Sequence, residues 1–438
     1  MPELEPRKAG SAELPHDPSD DRPGRAKGLP LVALSSVIAA ASGYVVFIIA
    51  ARVLSQPDNA DFLAFWGVLF GLFGVLSGLM NESTRAVKSR VLPQPAGGRS
   101  GAHVVGTSLL IGSVLALLVA ASSPWWSRTL IPDAPPWLWL GLALATLLYS
   151  GHAAMAGASA GLERWHTYSA LSMAEALFRL LAIVVLALVL ADLGGLELAA
   201  LFGTVVWLAI ALGGKGGRLA FAARADVPRG IFIRRCLYAM LTAAATAVLI
   251  TAFPALIKLT SDPAEFATAA PLLLAVSLTR APILIPLQAF QGVLMTALIG
   301  STRILAVLRK PLLGIVGLTV IGSIAAYFVG PWIMLIFGSG YALPGIWIAL
   351  LTADAGLLAV LTMTGTTALA LSRHGIYLSG WAVASVVSCL GLFLPMPLES
   401  TVVLSLAIGP LCGIAVHTLG IVRAVRRSNH LSTTVKGH

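Results

Sequence analysis

The chain alternates between long apolar stretches and short polar turns, and this alternation predicts a set of membrane-spanning helices. A helix needs roughly 20 residues to cross the hydrocarbon core of a bilayer. Twelve apolar segments approach or exceed that length, at about 30–53, 62–82, 103–122, 137–158, 168–191, 196–214, 233–256, 267–299, 312–335, 343–372, 374–395 and 400–423. The eighth and tenth segments are longer than one span requires, so each is expected to tilt, break or extend beyond the membrane, and Pro282 and Pro286 favour a break in the eighth.

The composition places the chain among polytopic membrane proteins of the all-α class. Hydrophobic residues make up 57% of the chain and charged residues only 11%, whereas soluble domains carry about 25% charged residues. The three cysteines, Cys236, Cys389 and Cys412, stand far apart in apolar surroundings. Their spacing is not that of a disulfide framework or a metal site, and it is typical of small buried side chains.

The distribution of lysine and arginine predicts the orientation. Of the 29 such residues, Arg52, Arg128 and Lys258 fall in turns on one side, and Arg179 and Arg280 fall inside apolar segments. The others lie on the opposite side, which the positive-inside rule identifies as cytoplasmic. Both termini are therefore predicted to be cytoplasmic. Membrane topology also explains the net charge of +10, so no nucleic-acid partner is expected.

An internal repeat divides the chain into two halves. The sequence Ala-Ala-Ala-Ser-Gly at 39–43 resembles Ala-Ala-Ala-Thr-Ala at 243–247, and the turns at 58–62 and 262–266 match at the same offset. Each half then holds six spans that start in the cytoplasm, which predicts parallel repeats related by an axis along the membrane normal. In transporters built this way the substrate path lies between the halves.

These observations together predict the domain organisation. We expect two six-helix lobes in about 12 transmembrane helices, with charged segments outside the membrane. The divisions are a disordered cytoplasmic tail at 1–28, an N-lobe with spans 1–6 at 29–214, a basic cytoplasmic linker at 215–232, a C-lobe with spans 7–12 at 233–424, and a basic cytoplasmic tail at 425–438.

Two charged residues stand inside the fifth apolar segment. Glu175 and Arg179 are four residues apart with the acid first, so they lie on one helix face and can pair. Each charge costs roughly 2.5–3.5 kcal/mol at the centre of a bilayer on insertion scales, so the pair is expected to face the bundle interior or a wet cavity. The pair can be purely structural, or it can form one wall of a substrate cavity.

Arg280 and Asp354 are further charges placed inside spans of the second half. Arg280 has no acidic residue within a helical turn, so it needs a partner from another helix, water or an anionic ligand. Its planar fork of donors suits phosphate oxygens, although an ion pair with Glu175 or Asp354 across the bundle would also satisfy it. Asp354 can neutralise an arginine or carry a coupling proton or sodium ion.

Glu82 and Arg85 lie near the cytoplasmic end of the second span. They can belong to a solvated helix end, or they can form an entrance for a charged headgroup.

The sequence shows no Walker motif, no metal-ligand spacing and no nucleophile constellation. We therefore predict a protein that is not an enzyme, with no catalytic residue, no metal and no cofactor, and with coupling to a proton or sodium gradient as an option.

Several stretches resemble the polysaccharide flippases of the multidrug/oligosaccharidyl-lipid/polysaccharide exporter superfamily. The similarity covers nearly the whole membrane region, in both halves. It is carried by Ala51–Phe62, Gly161–Trp165, Glu175–Arg179, Arg280–Gln288, Pro331–Tyr341 and Ala368–Arg373.

The resemblance implies a central cationic cavity and alternating access. The substrate would be a polyprenyl-(di)phosphate-linked saccharide, moved across a bacterial inner membrane by a monomer that acts beside the glycosyltransferases or polymerase of its pathway. The expected substrate-binding residues are Arg179, Arg280 and Arg85, with Glu175, Asp354 and Glu82 as pairing or ion-coupling residues.

Four alternatives remain open. A cation-coupled multidrug exporter of the same superfamily would have an apolar cavity with carboxylates. A major-facilitator transporter would have an Asp-Arg-containing, Gly-rich loop after its second span, which Arg85–Arg99 does not provide. A membrane glycosyltransferase would need a sizeable outer loop, and the longest is Ser122–Pro136. A non-transporting scaffold of the cell envelope would recruit partners through its charged tails.

Overall fold

The computed structural model describes residues 23–91, 101–131, 134–298 and 304–435, and these residues form a helical bundle. Within those ranges the only β pairing is an isolated bridge between His103 and Arg224. The first half contains seven helices: α1 (Pro23–Val53), α2 (Gln56–Val91), α3 (Val104–Leu130), α4 (Pro136–Gly161), α5 (Trp165–Val189), α6 (Leu193–Leu201) and α7 (Val206–Gly213).

The second half follows a short cytoplasmic helix, α8 (Lys215–Phe221). Its helices are α9 (Arg229–Ile250), α10 (Phe253–Thr260), α11 (Pro263–Phe266), α12 (Ala270–Leu298), α13 (Ile304–Leu335), α14 (Gly345–Ala370), α15 (His374–Gly391) and α16 (Leu398–Val435). Over the described ranges, 11 helical segments are long and apolar enough to cross a membrane, and α12 completes the set of twelve. The all-α, twelve-span architecture predicted from the sequence is confirmed.

The predicted interruption of the eighth span is wrong, because α12 is continuous through Pro282 and Pro286. The seventh span breaks instead, between α9 and α10. The amides of Thr251 and Ala252 both donate to the carbonyl of Ala247, which ends the regular ladder. Pro254 then has no N–H to offer the carbonyl of Ile250. The proline that matters for the break therefore lies in a segment where the sequence predicted an uninterrupted span.

The sixth span is also irregular. It consists of α6 and α7 joined by a 3₁₀ turn at Phe202–Val205. The turn packs on α5 through Gly203, where an added Cβ would lie 2.8 Å from the carbonyl oxygen of Glu175 and 3.3 Å from Cβ of Arg179. A side chain at this position would push the turn away from α5. The close approach fixes the stretch of α5 that carries both membrane charges.

The two lobes meet along α2, which packs against α9, α10 and α12. Small residues make this seam close. A Cβ on Gly71 would lie 2.9 Å from Cβ of Ala252, and one on Gly74 would lie 2.6 Å from Cβ of Ala247. Small residues allow helix backbones to approach closely in a membrane, where dispersion contacts replace the hydrophobic effect as the driving force. The small residues therefore bring α2 and the α9–α10 segment into close contact along this seam.

A set of hydrogen bonds closes the outer side of this interface. Arg52 donates to the carbonyl of Ile336 from Nε and Nη2, over 3.1 and 2.6 Å. Gln56 donates to the carbonyl of Gly340 over 3.1 Å, and Asn59 donates to the hydroxyl of Tyr341 over 2.8 Å. We call these contacts the outer clasp. They join the α1–α2 turn of one lobe to the α13–α14 turn of the other.

An ion pair lies beside the clasp. The ammonium of Lys258 on α10 is 2.7 Å from a carboxylate oxygen of Asp61 on α2, and it sits 4.4 Å from the ring centroid of Phe266. The lysine side chain is 11% exposed and the aspartate side chain 21%. This pair adds a second connection between the lobes on the outer side.

The basic linker predicted at 215–232 belongs structurally to the first lobe for most of its length. After α8 the chain runs beside residues 102–104, with a 3.0 Å bond from the amide of Ala102 to the carbonyl of Val227. A second bond of 2.8 Å runs from the amide of Ala225 to the carbonyl of Ala102. The linker is thus held against the start of α3 until α9 begins.

The two predicted tails are described only in part. Residues 1–22 lie outside the described ranges, and the chain is already helical from Pro23, within the segment 1–28 expected to be disordered. At the other end the backbone of α16 continues as a helix to Val435, so residues 425–435 of the expected tail extend the helix of the last span, and residues 436–438 lie outside the described ranges.

Candidate functional site

A cavity of about 370 Å³ lies between the lobes. Its walls come from α1, α2 and α5 on one side, and from the α9–α10 break and α12 on the other. The α1 wall contains Ala39, Ala40 and Gly43, which belong to the repeated Ala-rich sequence. Nothing lies within 4 Å of the position that a Cβ on Gly43 would take. The small residues that marked the repeat in the sequence therefore leave this space open.

An aromatic surface forms another part of the wall. It consists of Tyr44, Phe47, Trp66 and Phe70. The rings of Trp66 and Phe70 stack with centroids 4.5 Å apart, and Phe47 meets Trp66 edge-on at 5.4 Å. These rings can stack on a flat apolar face of a ligand, and they can also hold a cation over their own faces.

Arg179 reaches the cavity from the N-lobe as half of an ion pair. Its Nη2 bonds Oε1 of Glu175 one turn earlier, as the spacing predicted. The side chains of Arg179 and Glu175 are 6% and 11% exposed. The guanidinium carbon also lies 4.7 Å from the ring centroid of Phe70 and 5.6 Å from that of Trp66. Nε of Arg179 has no hydrogen-bond partner among the described residues.

Arg280 reaches the same cavity from the C-lobe and is held in a different way. Its Nη1 donates to the carbonyls of Leu249 and Ile250 over 2.6 and 3.0 Å. These carbonyls end α9, and the negative end of a helix dipole stabilises a cation there. Nη2 of Arg280 is buried and finds no hydrogen-bond partner in the described ranges.

The ion pair of Arg280 with Glu175 or Asp354, one of the alternatives that the sequence left open, is not formed among the described residues. Among the described residues no carboxylate oxygen lies within 4.0 Å of its guanidinium, so the helix break supplies the partner in its place. Asp354 lies behind Arg280, beside a void of about 10 Å³ that both residues line together with Thr279. Asp354 is 7% exposed, and its Oδ2 has no partner within the described part of the chain.

Arg85 and Glu82 are not in the cavity, which corrects the expected placement of Arg85 beside the two membrane arginines. They lie at the cytoplasmic end of α2, fifteen and twelve residues after the cavity residue Phe70. At 1.5 Å per residue, Arg85 is about 22 Å from Phe70 along the helix axis. A long apolar run does not reveal how deep a charge near its end will lie, and this explains the misplacement.

Glu197 on α6 is a buried carboxylate that the sequence analysis missed. It is 1% exposed, and its Oε1 has no hydrogen-bond partner in the described ranges. The sequence did contain a signal for it, because a single acid in the sixth apolar segment costs free energy in the bilayer just as Glu175 does. Glu197 does not line the cavity.

Comparison with known proteins gives relatives across nearly the whole chain. No family model matches. The chain is 38% identical over 401 residues to the uncharacterized protein Rv1510 of Mycobacterium tuberculosis strain H37Rv, covering 90% of this chain and 91% of the relative. It is 36% identical over 398 residues to Rv3630 of the same strain and to Mb3654 of Mycobacterium bovis, with coverage of 90% and 91% in each case.

Solved structures resemble the fold at low sequence identity. An inward-facing multidrug resistance MATE family transporter of the MOP superfamily matches with a TM-score of 0.68 at 12% identity, covering 87% of this chain and 95% of that one. A MOP superfamily transporter from Pyrococcus furiosus, described as having a binding pocket of reverse polarity, matches with a TM-score of 0.62 at 12% identity, covering 91% and 96%. An outward-facing MATE transporter gives a TM-score of 0.61 at 14% identity, covering 92% and 96%. The chain therefore has the two-lobe, twelve-helix fold of these transporters.

Proposed function

Because this chain belongs to the family of the mycobacterial proteins Rv1510 and Rv3630 and has the fold of MOP superfamily transporters, we propose that it is a flippase. Its substrate is a polyprenyl-(di)phosphate-linked saccharide, moved from the cytoplasmic to the outer leaflet of the bacterial inner membrane. One observation carries the proposal: Arg179 and Arg280, one from each lobe, line a single cavity between the lobes.

The electrostatics of the cavity suit an anionic headgroup. Two guanidinium groups and the carboxylate of Glu175 line it, so the lining itself carries one more positive than negative charge, and the carboxylate of Asp354 lies behind Arg280, outside that lining. Arg280 bonds only neutral carbonyls, and both arginines keep an N–H without a partner among the described residues. A diphosphate can accept from these donors in a buried site, where charge-assisted hydrogen bonds are strong. The aromatic wall beside them can stack on the face of a sugar.

Alternating access explains how the bound headgroup would cross the membrane. The outer clasp closes the outer side of the cavity. In the described conformation the substrate therefore cannot enter or leave the cavity from the outer side. Breaking the clasp while the lobes close on the cytoplasmic side would expose the same arginines outward. No covalent step is required. Asp354, behind Arg280, and Glu175, beside Arg179, are the carboxylates placed to take up a coupling proton or sodium ion.

The second candidate function is a multidrug exporter of the same superfamily. The aromatic wall of Tyr44, Phe47, Trp66 and Phe70 favours it, because such a wall accepts flat organic molecules as well as sugars. The excess positive charge of the cavity would then select anionic or neutral compounds over cationic ones. The structures that the fold resembles are transporters, which disfavours the glycosyltransferase alternative.

A flipping assay tests the proposal. The purified chain is reconstituted in liposomes with a fluorescent lipid-diphosphate saccharide, and wild type is compared with Arg179→Ala and Arg280→Ala. We expect each variant to flip the lipid at least about tenfold more slowly, the effect of one lost charge-assisted contact of about 1.5–3 kcal/mol. Arg128→Ala is the matched control, since Arg128 is exposed and lies outside the cavity.

Wild-type flipping rates in both variants at normal protein levels would refute the cavity assignment. Export of organic anions that is sensitive to both substitutions, with no flipping of the lipid by wild type, would instead support the drug exporter.

A further inference from the structure

A second cavity, of about 770 Å³, lies at the cytoplasmic end of the seam between the lobes. It is lined by α2, α9 and the start of α15, and we call it the vestibule. Its charged residues are Glu82 and Arg85 on α2 and Arg234 and Arg235 on α9, and the imidazole of His374 on α15 also lines it. Tyr238 and Tyr377 add two aromatic rings to its wall.

The vestibule and the central cavity lie on the same face of α2. The cavity takes Leu63, Trp66 and Phe70 from this helix, and the vestibule takes Ser77, Asn81 and Arg85. These positions follow one another at intervals of three, four or seven residues, which keeps them on one side of a helix. A group bound in the vestibule is therefore aligned with the central cavity along the lobe interface.

The α9 side of the seam repeats this alignment. The vestibule takes Ala239, Thr242 and Thr246 from α9, and the cavity takes Ile250 further along the same helix. These residues are again three or four positions apart and share a face. Both helices of the seam thus run from the vestibule to the two arginines.

Arg85 is occupied and serves as a positioning residue. Its Nε and Nη2 donate to Glu82 over 2.8 and 2.6 Å. Its Nη1 and Nη2 donate to Asp226 over 3.0 Å each, and Nη1 also approaches Ser89 at 3.4 Å. All five donors of the guanidinium are used. Arg85 therefore ties the linker residue Asp226 to α2 and has no donor left for a ligand.

Arg234 and Arg235 remain available for an anion. Arg234 is exposed and forms no ion pair with a described residue. Arg235 lies 3.6 Å from Asp226, at the long end of an ion-pair distance, and the two bonds from Arg85 already engage that carboxylate. Three arginines face two carboxylates in the vestibule wall and its rim. The excess positive charge therefore resides on adjacent residues of α9.

We propose that the vestibule is a loading site for the phosphate groups of the lipid-linked substrate at the cytoplasmic leaflet. Arg234 and Arg235 bind the phosphates, and Tyr238 and Tyr377 pack against the first sugar. The substrate then moves along the seam to Arg179 and Arg280. This inference rests on the proposed flippase function and adds a second binding site to it, about 22 Å from the first.

Binding of farnesyl diphosphate to the full chain tests the loading site. The protein is placed in nanodiscs of phosphatidylcholine, which carries no net charge, and the dissociation constant is measured for wild type and for the double variant R234Q/R235Q. We expect the double variant to bind roughly tenfold more weakly, because exposed arginine–phosphate contacts are each weaker than buried ones. Equal affinity in the two proteins would overturn the proposal.

The matched control is R218Q/R229Q, which removes the same charge from two exposed arginines of the cytoplasmic side that do not line the vestibule. Its affinity should stay within about twofold of wild type. The single variant R234Q guards against a folding defect, since Arg234 makes no ion pair within the described ranges whereas Arg235 approaches Asp226. A loss of affinity in the control as large as that in R234Q/R235Q would show a general charge effect and overturn the proposal.

Anionic phospholipid is the other source of phosphate. In nanodiscs containing phosphatidylglycerol, R234Q/R235Q should still weaken farnesyl diphosphate binding. If the double variant differs from wild type only in its retention of phosphatidylglycerol, the vestibule is a phospholipid site and the loading role is wrong.

A kinetic assay separates this proposal from the flippase proposal. In flipping assays R234Q/R235Q should raise KM about tenfold and leave kcat unchanged, because the loading site acts before the central cavity. Arg280→Gln should instead lower kcat. Normal flipping by the Arg280 variant together with weakened binding in R234Q/R235Q would refute the cavity assignment and leave the vestibule in place. A drop in kcat without a change in KM for R234Q/R235Q would contradict the loading role.

Discussion

The two lobes place an arginine in the same cavity and compensate its charge in opposite ways. In the N-lobe, Arg179 is neutralised by Glu175 on its own helix and is covered by Phe70 and Trp66. In the C-lobe, Arg280 donates to two backbone carbonyls that belong to the end of a different helix. The first arginine is in direct contact with a formal negative charge, whereas the second bonds only the partial charges of carbonyls and has the carboxylate of Asp354 behind it, beyond ion-pair distance.

This difference predicts different behaviour toward an anionic ligand. A diphosphate that binds Arg179 must compete with a carboxylate, so Glu175 controls how strongly that arginine can hold it. A diphosphate that binds Arg280 competes only with neutral carbonyls and with no described carboxylate within ion-pair distance. Arg280 should therefore supply most of the initial attraction. Arg179 should engage when the Glu175 pair opens.

The largest expected effect is on stability and comes from Arg179→Gln. The substitution leaves Glu175 buried without its partner, and breaking a buried ion pair from one side costs about 3–5 kcal/mol. Thermal unfolding in detergent should show this loss. The double variant Arg179→Gln with Glu175→Gln removes both charges and should recover most of it. If the double variant is no more stable than Arg179→Gln alone, the two side chains do not stabilise each other.

Arg280→Gln is the matching change in the other lobe, and its cost to stability should be smaller. The glutamine amide can still donate to a carbonyl at the α9–α10 break, and it leaves no carboxylate unpaired within ion-pair distance, so we expect about 1 kcal/mol. The same thermal assay checks this value. Stability losses of equal size for the two Arg→Gln variants would remove the distinction between the lobes.

The smallest effect is expected from Pro254→Ala, which acts on Arg280 through its partner. The alanine supplies an N–H that can satisfy the carbonyl of Ile250 within a continuous helix, so one hydrogen bond to Arg280 becomes dispensable. In the R234Q/R235Q background, where the vestibule arginines no longer contribute, we expect farnesyl diphosphate to bind about two- to fivefold more tightly, which corresponds to about half of one typical hydrogen bond. Unchanged or weaker binding would show that the helix break does not restrain Arg280.

Sequence patterns predicted the part of this site that is local. Glu175 and Arg179 are four residues apart on one helix, and helix geometry alone brings them together. The apolar segments and the internal repeat also predicted two lobes of six spans, since both depend on periodicity and length. These features need no knowledge of how one helix packs on another.

The partner of Arg280 could not be predicted in the same way. It depends on a break at Thr251 and Ala252, in a segment that reads as one uninterrupted span. Prolines gave a misleading signal, because α12 continues through Pro282 while Pro254 contributes to the break. A membrane helix tolerates proline where its neighbours satisfy the freed carbonyl, and that depends on tertiary packing.

The placement of Arg85 failed for a related reason. The sequence shows that Arg85 follows an apolar run, but α2 extends 36 residues and carries it far past the cavity. Its partner Asp226 is 141 residues away in the chain. Contacts at that separation follow only from the path of the linker, and the charge pattern showed no more of it than that it is basic and cytoplasmic.

The attachment of that linker has a mechanical consequence. Because the chain is pinned to the start of α3 as far as Val227, the backbone crosses between the lobes over the short step from Val227 through Pro228 into α9, which places the covalent pivot there. A pivot at the cytoplasmic edge gives each lobe a long lever arm, so a small rotation there becomes a large displacement at the opposite face of the membrane. The outer clasp lies at the far end of that arm, where a few hydrogen bonds have the greatest leverage against the motion.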